Sequence, residues 1–232
     1  MKKLLLIQIF FLNIFISLGQ QKSIDFNEIK TIAQSENYKI LFDRYVSNDT
    51  TLTLKEYSII YYGQVFLDNY EPYRRHDSVK TLNMYLRNKK DLIDFQKVLG
   101  YTKLILKDFP FNIEQIFITS IAYSKLGLLD SAKIWSFKYD YLIKTILSSG
   151  NGKTHNTAFY VTKITDEYSI LNALNLQFKS QMLINKDQNK YYDLMNVAKN
   201  NFKIKKLYFD INLFYDKMPI KYTPPFPRLQ QE

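Results

Sequence analysis

The sequence contains no cysteine and only two histidines among its 232 residues. Without cysteine, no disulfide can support the fold and no thiol is available for a lipid anchor, so we do not expect a lipoprotein. Zinc needs three or four ligands from histidine, cysteine or carboxylate side chains. His76 and His155 are far apart and form no pair at helical spacing, so we expect neither a metal site nor a cofactor.

Long apolar runs are also missing, apart from a short one at the N-terminus. Two lysines precede residues 4–18, which are almost wholly apolar, and Ser17 and Gly19 stand at −3 and −1 of a cut before Gln20. This order is typical of a secretory signal peptide. A membrane span needs ~20 apolar residues, more than this run offers. We therefore expect a signal peptide over residues 1–19, export to the periplasm or outside the cell, and no transmembrane span after cleavage.

Acidic residues are fewer than basic ones, 22 against 32, and the net charge is +10. A basic balance can indicate nucleic acid, but an exported chain meets lipid head groups and cell-wall polymers instead. The lysines are scattered along the chain, so the charge bears on solubility and association more than on fold. We expect no nucleic-acid partner.

Aromatic residues are plentiful, with 19 Tyr and 17 Phe to build a core. Two helix starts have the spacing of a capping box, Asp25 with Glu28 and Thr53 with Glu56. The helix after Thr53 contains Gly63, where another element can approach closely. Apolar residues at helical spacing predict further helices over 77–86, 91–107, 112–123 and 130–147, the third of them capped by Asn112.

The last two of these helices resemble a tetratricopeptide unit. With Gly127 as the turn, Tyr123 and Ala132 fall at the Tyr and Ala positions of the pattern, and Ser120 at its small-residue position. Antiparallel helices approach closely where side chains are small, which explains the spacing. A solenoid needs at least three such units, and one is clear. We therefore predict a helical-hairpin, tetratricopeptide-like region over residues 20–149.

The pattern changes near Gly150 to short stretches that alternate with period two. Strands are predicted over 159–164, 176–184, 191–198 and 204–211, with a helix that is capped by Thr165 and ends near residue 174. The fold class is therefore α+β, with a small antiparallel sheet and one packed helix over residues 150–218 and a Pro-rich tail over 219–232. The alternation predicts that Leu183 faces away from the core. The side chains predicted on the buried side are Leu176, Phe178, Met182 and Ile184.

Several short motifs occur in one order along nearly the whole chain after the signal. They are Asn48-Asp49-Thr50-Thr51-Leu52-Thr53, Tyr61-Tyr62-Gly63, Tyr70-Glu71-Pro72-Tyr73, Phe109-Pro110-Phe111-Asn112, Ser148-Ser149-Gly150-Asn151-Gly152, Thr157-Ala158-Phe159 and Asp166-Glu167-Tyr168. In these motifs the chain resembles domain-of-unknown-function family 4919, a family of exported bacterial proteins. The resemblance implies export and a shared fold, and it transfers no catalytic residues.

Candidate catalytic residues come from one stretch of the chain. His155 precedes Asp166 and Glu167, and a histidine–carboxylate pair can serve as general acid and base. The alternative is that both carboxylates favour the first turn of a helix electrostatically. The nearby Gly150-Asn151-Gly152-Lys153-Thr154 is not a phosphate loop, because the first glycine of that motif is replaced by Leu147 and no strand precedes it.

Candidate binding residues form an aromatic and basic group, since Tyr and Arg commonly anchor interfaces. They are Tyr62, Tyr70, Tyr73, Arg74 and Arg75. The alternative is that the tyrosines pack a helical core with their hydroxyls at its rim.

Three functional classes follow from the sequence. The first is a periplasmic or secreted binding or scaffold protein, whose partner is another envelope protein or a polysaccharide. The second is an enzyme acting on cell-envelope polymers through His155, Asp166 or Glu167. The third is a structural component of an envelope complex. Helical hairpins present binding surfaces and no catalytic constellation stands out, so we favour the first class over an enzyme.

Overall fold

A computed structural model describes residues 24–88, 93–186 and 189–217. The expected signal peptide and the Pro-rich tail lie outside the described residues. Within these residues, seven α-helices precede the first strand and an eighth follows it, which confirms the α+β class. The helices are α1 Phe26–Ala33, α2 Glu36–Val46, α3 Leu54–Gly63, α4 Asp77–Asn88, α5 Phe95–Asp108, α6 Ile113–Lys125, α7 Leu129–Leu147 and α8 Ile164–Ala173. The strands are β1 Phe159–Tyr160, β2 Phe178–Lys186, β3 Lys190–Val197 and β4 Lys206–Asp210.

Helix starts follow local side-chain caps. Thr53 and Glu56 form the expected capping box at the start of α3, and Asp25 accepts hydrogen bonds from two backbone N–H groups at the start of α1. Asn112 caps α6 as expected. The prediction that Thr165 caps the eighth helix was wrong: Lys163 is the cap position, two residues earlier, and it makes no side-chain cap hydrogen bond.

The turn between α6 and α7 is a Schellman motif. Gly127 has φ +75°, its N–H donates to the Ser124 carbonyl, and the Leu128 N–H donates to the Tyr123 carbonyl. This geometry reverses the chain, so α6 and α7 form the predicted hairpin. Its likeness to a tetratricopeptide unit stays a prediction.

The sheet has the order β1-β4-β3-β2. The pairs β2–β3 and β3–β4 are antiparallel as expected, but β1 pairs in parallel with β4. The sheet is therefore mixed, and the expectation of a purely antiparallel sheet is corrected. Helix α8 carries the chain back after β1, so β2 runs in the same direction as β1. Because β3 reverses the direction and β4 reverses it again, β4 is also parallel to β1.

A β-bulge changes the register of β2. Phe178 pairs with Val197 and Ser180 with the neighbouring Asn196, so Lys179 is the extra residue. Leu176 and Phe178, before the bulge, pack on the core as expected.

Beyond the bulge the alternation is inverted. Leu183 pairs with Asp193, which pairs with the buried Phe209, so these three side chains share the core face. Met182 and Ile184 point to the other face. Their predicted place on the buried side was wrong, because one extra residue moves every later side chain to the opposite face.

One core includes buried residues from both sides of Gly150. Tyr61 of α3, Ile146 of α7, Ile170 of α8 and Phe209 of β4 belong to the same cluster. We call residues 24–149 the helical region and 150–217 the sheet region. The change in secondary structure at Gly150 therefore does not divide the core.

Close helix packing in the helical region depends on Gly63, as the sequence predicted. A Cβ atom at this position would lie 2.5 Å from the Tyr38 ring of α2 and 3.4 Å from Ala33 of α1. Only glycine lets these three helices meet at this point. Within the described ranges, no helix is long and apolar enough to cross a membrane.

Candidate functional site

Three acidic side chains are buried where α8 lies against the sheet. Asp166 and Glu167 lie in the first turn of α8, and Asp193 lies on the core face of β3. Their exposed fractions are 1%, 0% and 4%. Such burial is rare for carboxylates unless they are paired or hydrogen-bonded, so each needs an identified partner.

Asp166 is bound by one residue from each region, Tyr61 of the helical region and Thr162 of the sheet region. Its Oδ2 atom accepts hydrogen bonds from the Tyr61 hydroxyl at 2.6 Å and from the Thr162 hydroxyl at 3.1 Å. The Tyr61 oxygen in turn accepts from the Thr162 N–H at 3.2 Å. Burial raises the pKa of Asp166, while nearby Lys163 and these hydrogen bonds oppose the rise.

Glu167 and Asp193 are neighbouring buried carboxyl groups that approach the same amide. The Gln181 Nε2 atom lies between them, 2.6 Å from Asp193 Oδ2 and 3.5 Å from Glu167 Oε2. The Tyr168 hydroxyl donates to Gln181 Oε1 at 3.1 Å and orients this amide. Burial, followed by the charge and hydrogen bond of Asp193 and the charge of Asp166, raises the pKa of Glu167 well above its ordinary value.

His155 lies apart from these carboxylates. It begins a short 3₁₀ turn before β1, and its ring faces Tyr192 of β3 with the centroids 5.8 Å apart. Tyr192 and Asp193 are consecutive on β3, so their side chains point to opposite faces of the sheet, and the His155 ring lies on the face away from Asp193. The structure thus keeps Asp166 and Glu167 together and separates His155 from them, while their predicted catalytic role stays a prediction.

Tyrosines of the predicted binding group point inward. Tyr62 is fully buried and donates to the Tyr160 carbonyl at 3.2 Å. Tyr70 donates to the Thr162 carbonyl, and Tyr73 donates to the Phe214 carbonyl at 3.4 Å. These contacts favour the alternative in which the tyrosines pack the core. Tyr70 and Asp166 meet at the same residue, because Thr162 contacts both.

The two arginines of that group lie at the surface. Arg74 makes ion pairs with Glu71 at 2.9 Å and Asp108 at 3.3 Å, and its guanidinium lies over the Phe109 ring, 5.2 Å from the centroid. Arg75 is exposed. The ion pair with Glu71 stays within the loop after α3, and the ion pair with Asp108 links this loop to the end of α5.

A buried lysine was not predicted from the sequence. Lys138 of α7 donates from Nζ to the Tyr45 carbonyl and to Asn48 Oδ1, both at 3.0 Å, and lies 4.1 Å from the Tyr45 ring centroid. It binds the C-terminal end of α2, where Asn48 has φ +64°. Burial lowers the pKa of Lys138 to about 8. The signal in the sequence was Asn48 within the first motif, but its partner lies 90 residues away.

Large apolar side chains are exposed on the α6–α7 hairpin. Phe117 and Ile121 lie one turn apart on α6, and Leu128 and Leu129 lie at the turn into α7, with exposed fractions of 44%, 37%, 48% and 59%. We call these four residues the hairpin apolar surface. The Phe117 ring packs on Tyr139 of α7, with the centroids 4.9 Å apart, so both helices contribute to this surface.

The comparisons with known proteins agree with the motifs. A family model described as domain of unknown function (DUF4919) matches residues 22–218. The chain belongs to this family. The match spans every described helix and strand. No curated protein and no solved structure matches the chain. Within the described residues, no group of three or more His, Cys, Asp or Glu side chains is arranged to hold a metal ion.

Proposed function

We propose that this DUF4919 protein is exported and acts as a periplasmic or secreted binding protein that holds a partner on the hairpin apolar surface. The exposure of this surface is the observation that carries the proposal. Phe117 and Ile121 share a face because residues four apart are neighbours on a helix. Leu128 and Leu129 extend the apolar area around the turn. Apolar patches on soluble proteins commonly mark interaction sites.

The chemistry of the surface favours a protein partner over a polysaccharide. Three of its four side chains are aliphatic, and aliphatic groups bury best against apolar side chains of another protein. A sugar would instead need a free aromatic face beside polar groups. The Phe117 ring is already packed on Tyr139. The proposed partner is therefore another envelope protein with an exposed apolar segment.

The alternative of an enzyme acting on envelope polymers receives less support. Asp166 and Glu167, the carboxylates of its candidate histidine–carboxylate pair, are buried where α8 packs, and Asp166 is hydrogen-bonded to Tyr61. A polymer chain could not reach these carboxyl groups without local opening of the fold. A permanent structural component would use the same hairpin apolar surface, and it differs from a binding protein in remaining in a complex of fixed stoichiometry.

Export is a separate part of the proposal and has its own test. Intact-mass analysis of the protein recovered from the producing bacterium should show a chain that begins at Gln20 or Gln21, because Ser17 and Gly19 precede that point. A mass that retains residues 1–18 would contradict cleavage.

Binding is tested by site-specific photo-crosslinking in the producing cells. A photoreactive residue at Phe117 should yield a discrete adduct with one envelope protein, and Ile121→Ser with Leu128→Ser in the same chain should abolish it. The matched control is Phe202, a phenylalanine exposed to 50% in the turn before β4. Identical adducts at both positions would contradict a specific surface. An adduct with a second copy of the chain would contradict the chosen partner.

A further inference from the structure

We propose that Glu167 and Asp193 hold one proton between them in the folded protein at neutral pH, and that its loss loosens the packing of α8 on the β2–β3 hairpin. The pair is a proton-binding site built at the joint between a helix and a sheet. The inference does not depend on the proposed function.

The geometry of the pair supports a single shared proton. Both carboxyl groups are within reach of the same donor atom, Gln181 Nε2, and both are almost completely buried. Two ionised carboxylates in contact repel each other, and burial penalises each charge further. Adjacent acids of this kind release their protons in two separate steps that belong to the pair.

Hydrogen bonding places the proton on Glu167. The Gln181 amide makes a 2.6 Å bond to Asp193 but only a 3.5 Å contact to Glu167, so it stabilises the ionised form of Asp193 more. Among the described residues, Glu167 Oε1 is buried and has no hydrogen-bond partner. A protonated Glu167 can donate to Asp193, whereas an ionised Glu167 leaves a charged oxygen buried without a donor.

The charges that act on Glu167 favour its protonated form. On α8 itself Asp166 raises the pKa of Glu167 further. Lys163, the residue before α8, acts on Asp166. On β2 the pair meets the neutral Gln181, and on β3 it includes Asp193. Tyr61 of α3 and Tyr168 of α8 are directed to Asp166 and Gln181. The groups that act on Glu167 are therefore acidic.

The direction of the pH effect follows from these contacts. The folded pKa of Glu167 is raised, so its contribution to stability is fully present below the ordinary pKa of glutamate. That contribution is lost as the pH rises from there through the raised pKa. Because Glu167 joins α8 to β3, its ionisation weakens this joint first.

The first test uses the purified protein labelled with ¹³C at the glutamate carboxyl groups. We expect one glutamate resonance with the shift of a protonated acid at neutral pH, and we expect Glu167→Gln to remove it. Asp193→Asn, which takes away the like charge, should shift its titration to lower pH. Absence of a protonated glutamate in the wild-type chain at neutral pH would overturn the proposal, and this result does not require any variant to fold.

The second test follows stability against pH. The unfolding temperature of Glu167→Gln should increase relative to that of the wild type as the pH rises. The reason is that the wild type loses one proton per molecule at this site and the variant does not. Asp130→Asn is the matched control, since Asp130 is exposed to 96% and its removal should leave the pH profile unchanged. A constant difference between Glu167→Gln and the wild type at every pH would also overturn the proposal.

Discussion

The hydroxyl of Tyr61 donates a 2.6 Å hydrogen bond to Asp166, across 105 residues of sequence. This bond joins α3 of the helical region to α8 of the sheet region. Tyr61 belongs to one of the motifs that carry the family likeness, Asp166 to another, and Tyr70, from a third, donates to Thr162 beside them. These motifs therefore meet at the joint between the two regions, and part of the family likeness reflects how the fold is held together.

Replacement of Tyr61 by phenylalanine should destabilise the fold by about 1–3 kcal/mol, because the buried carboxyl of Asp166 loses its shortest hydrogen bond. The Thr162 N–H loses its acceptor as well. Urea unfolding at neutral pH measures the loss. The burial of the ring is unchanged, so the difference reports on the hydroxyl.

Tyr45→Phe is the matched control for Tyr61→Phe. Tyr45 is also buried, but its hydroxyl donates to a neutral acceptor, the Pro110 carbonyl, at 2.8 Å. A bond to a neutral carbonyl contributes about 0.5–1.5 kcal/mol. Equal losses in the two variants would show that the acidic acceptor at Asp166 adds nothing.

Local features of the fold could be predicted from the sequence because they depend on neighbours along the chain. The capping box at Thr53 and the cap at Asn112 need only three or four residues. The close approach at Gly63 was also predictable, since a glycine inside a helix lowers its stability and commonly marks a position where packing leaves no room for a side chain. The position of β2 followed from alternation with period two, whereas β1 covers only Phe159–Tyr160 of the strand predicted over 159–164.

Features that depend on distant partners could not be predicted. The bulge at Lys179 exists only in the pairing of β2 with β3, so the alternation of β2 alone gave the wrong buried face. Asp166 and Glu167 were candidate residues, but Gln181, Asp193 and Tyr61 were not, because nothing in the sequence indicates which carboxyl they meet. The burial of Lys138 could not be predicted for the same reason, because the carbonyl group that it binds lies on α2, far away in the sequence.

Glycines in the loop before β1 should be far less tolerant of alanine than a glycine in a helix. A Cβ atom at Gly150 would lie 2.5 Å from the carbonyl oxygens of Thr157 and Ala158. The Thr157 carbonyl also accepts from the N–H groups of Asn151 and Gly152, so a shift would disturb the whole loop. We expect Gly150→Ala to cost about 1–3 kcal/mol in thermal or urea unfolding.

Gly100 provides the comparison for Gly150. It lies inside α5, and a Cβ atom there would meet nothing within 4 Å. Gly100→Ala should stabilise the protein by roughly 0.5–1 kcal/mol, because alanine loses less conformational freedom in a helix. If both variants lose stability to the same extent, the loop before β1 does not depend on its glycine.

Lys138 should make the stability of the protein rise with pH in alkaline solution. Its folded pKa is lowered to about 8 from 10.5, so between these values the unfolded chain binds more protons than the folded one. Stability attributable to Lys138 is therefore lowest below pH 8 and increases up to pH 10.5. Lys138→Met keeps the length of the side chain and should lack this increase, which is on the order of 3 kcal/mol.

The measurement is the free energy of unfolding in urea for the wild type and Lys138→Met across this alkaline range. Their difference isolates Lys138, since the buried tyrosines titrate equally in both proteins. Lys133→Met, on an exposed position of the same helix, should follow the wild type at every pH. If Lys138→Met shows the same rise as the wild type, burial does not lower the pKa of Lys138, and its bonds to Tyr45 and Asn48 compensate for the lost solvation.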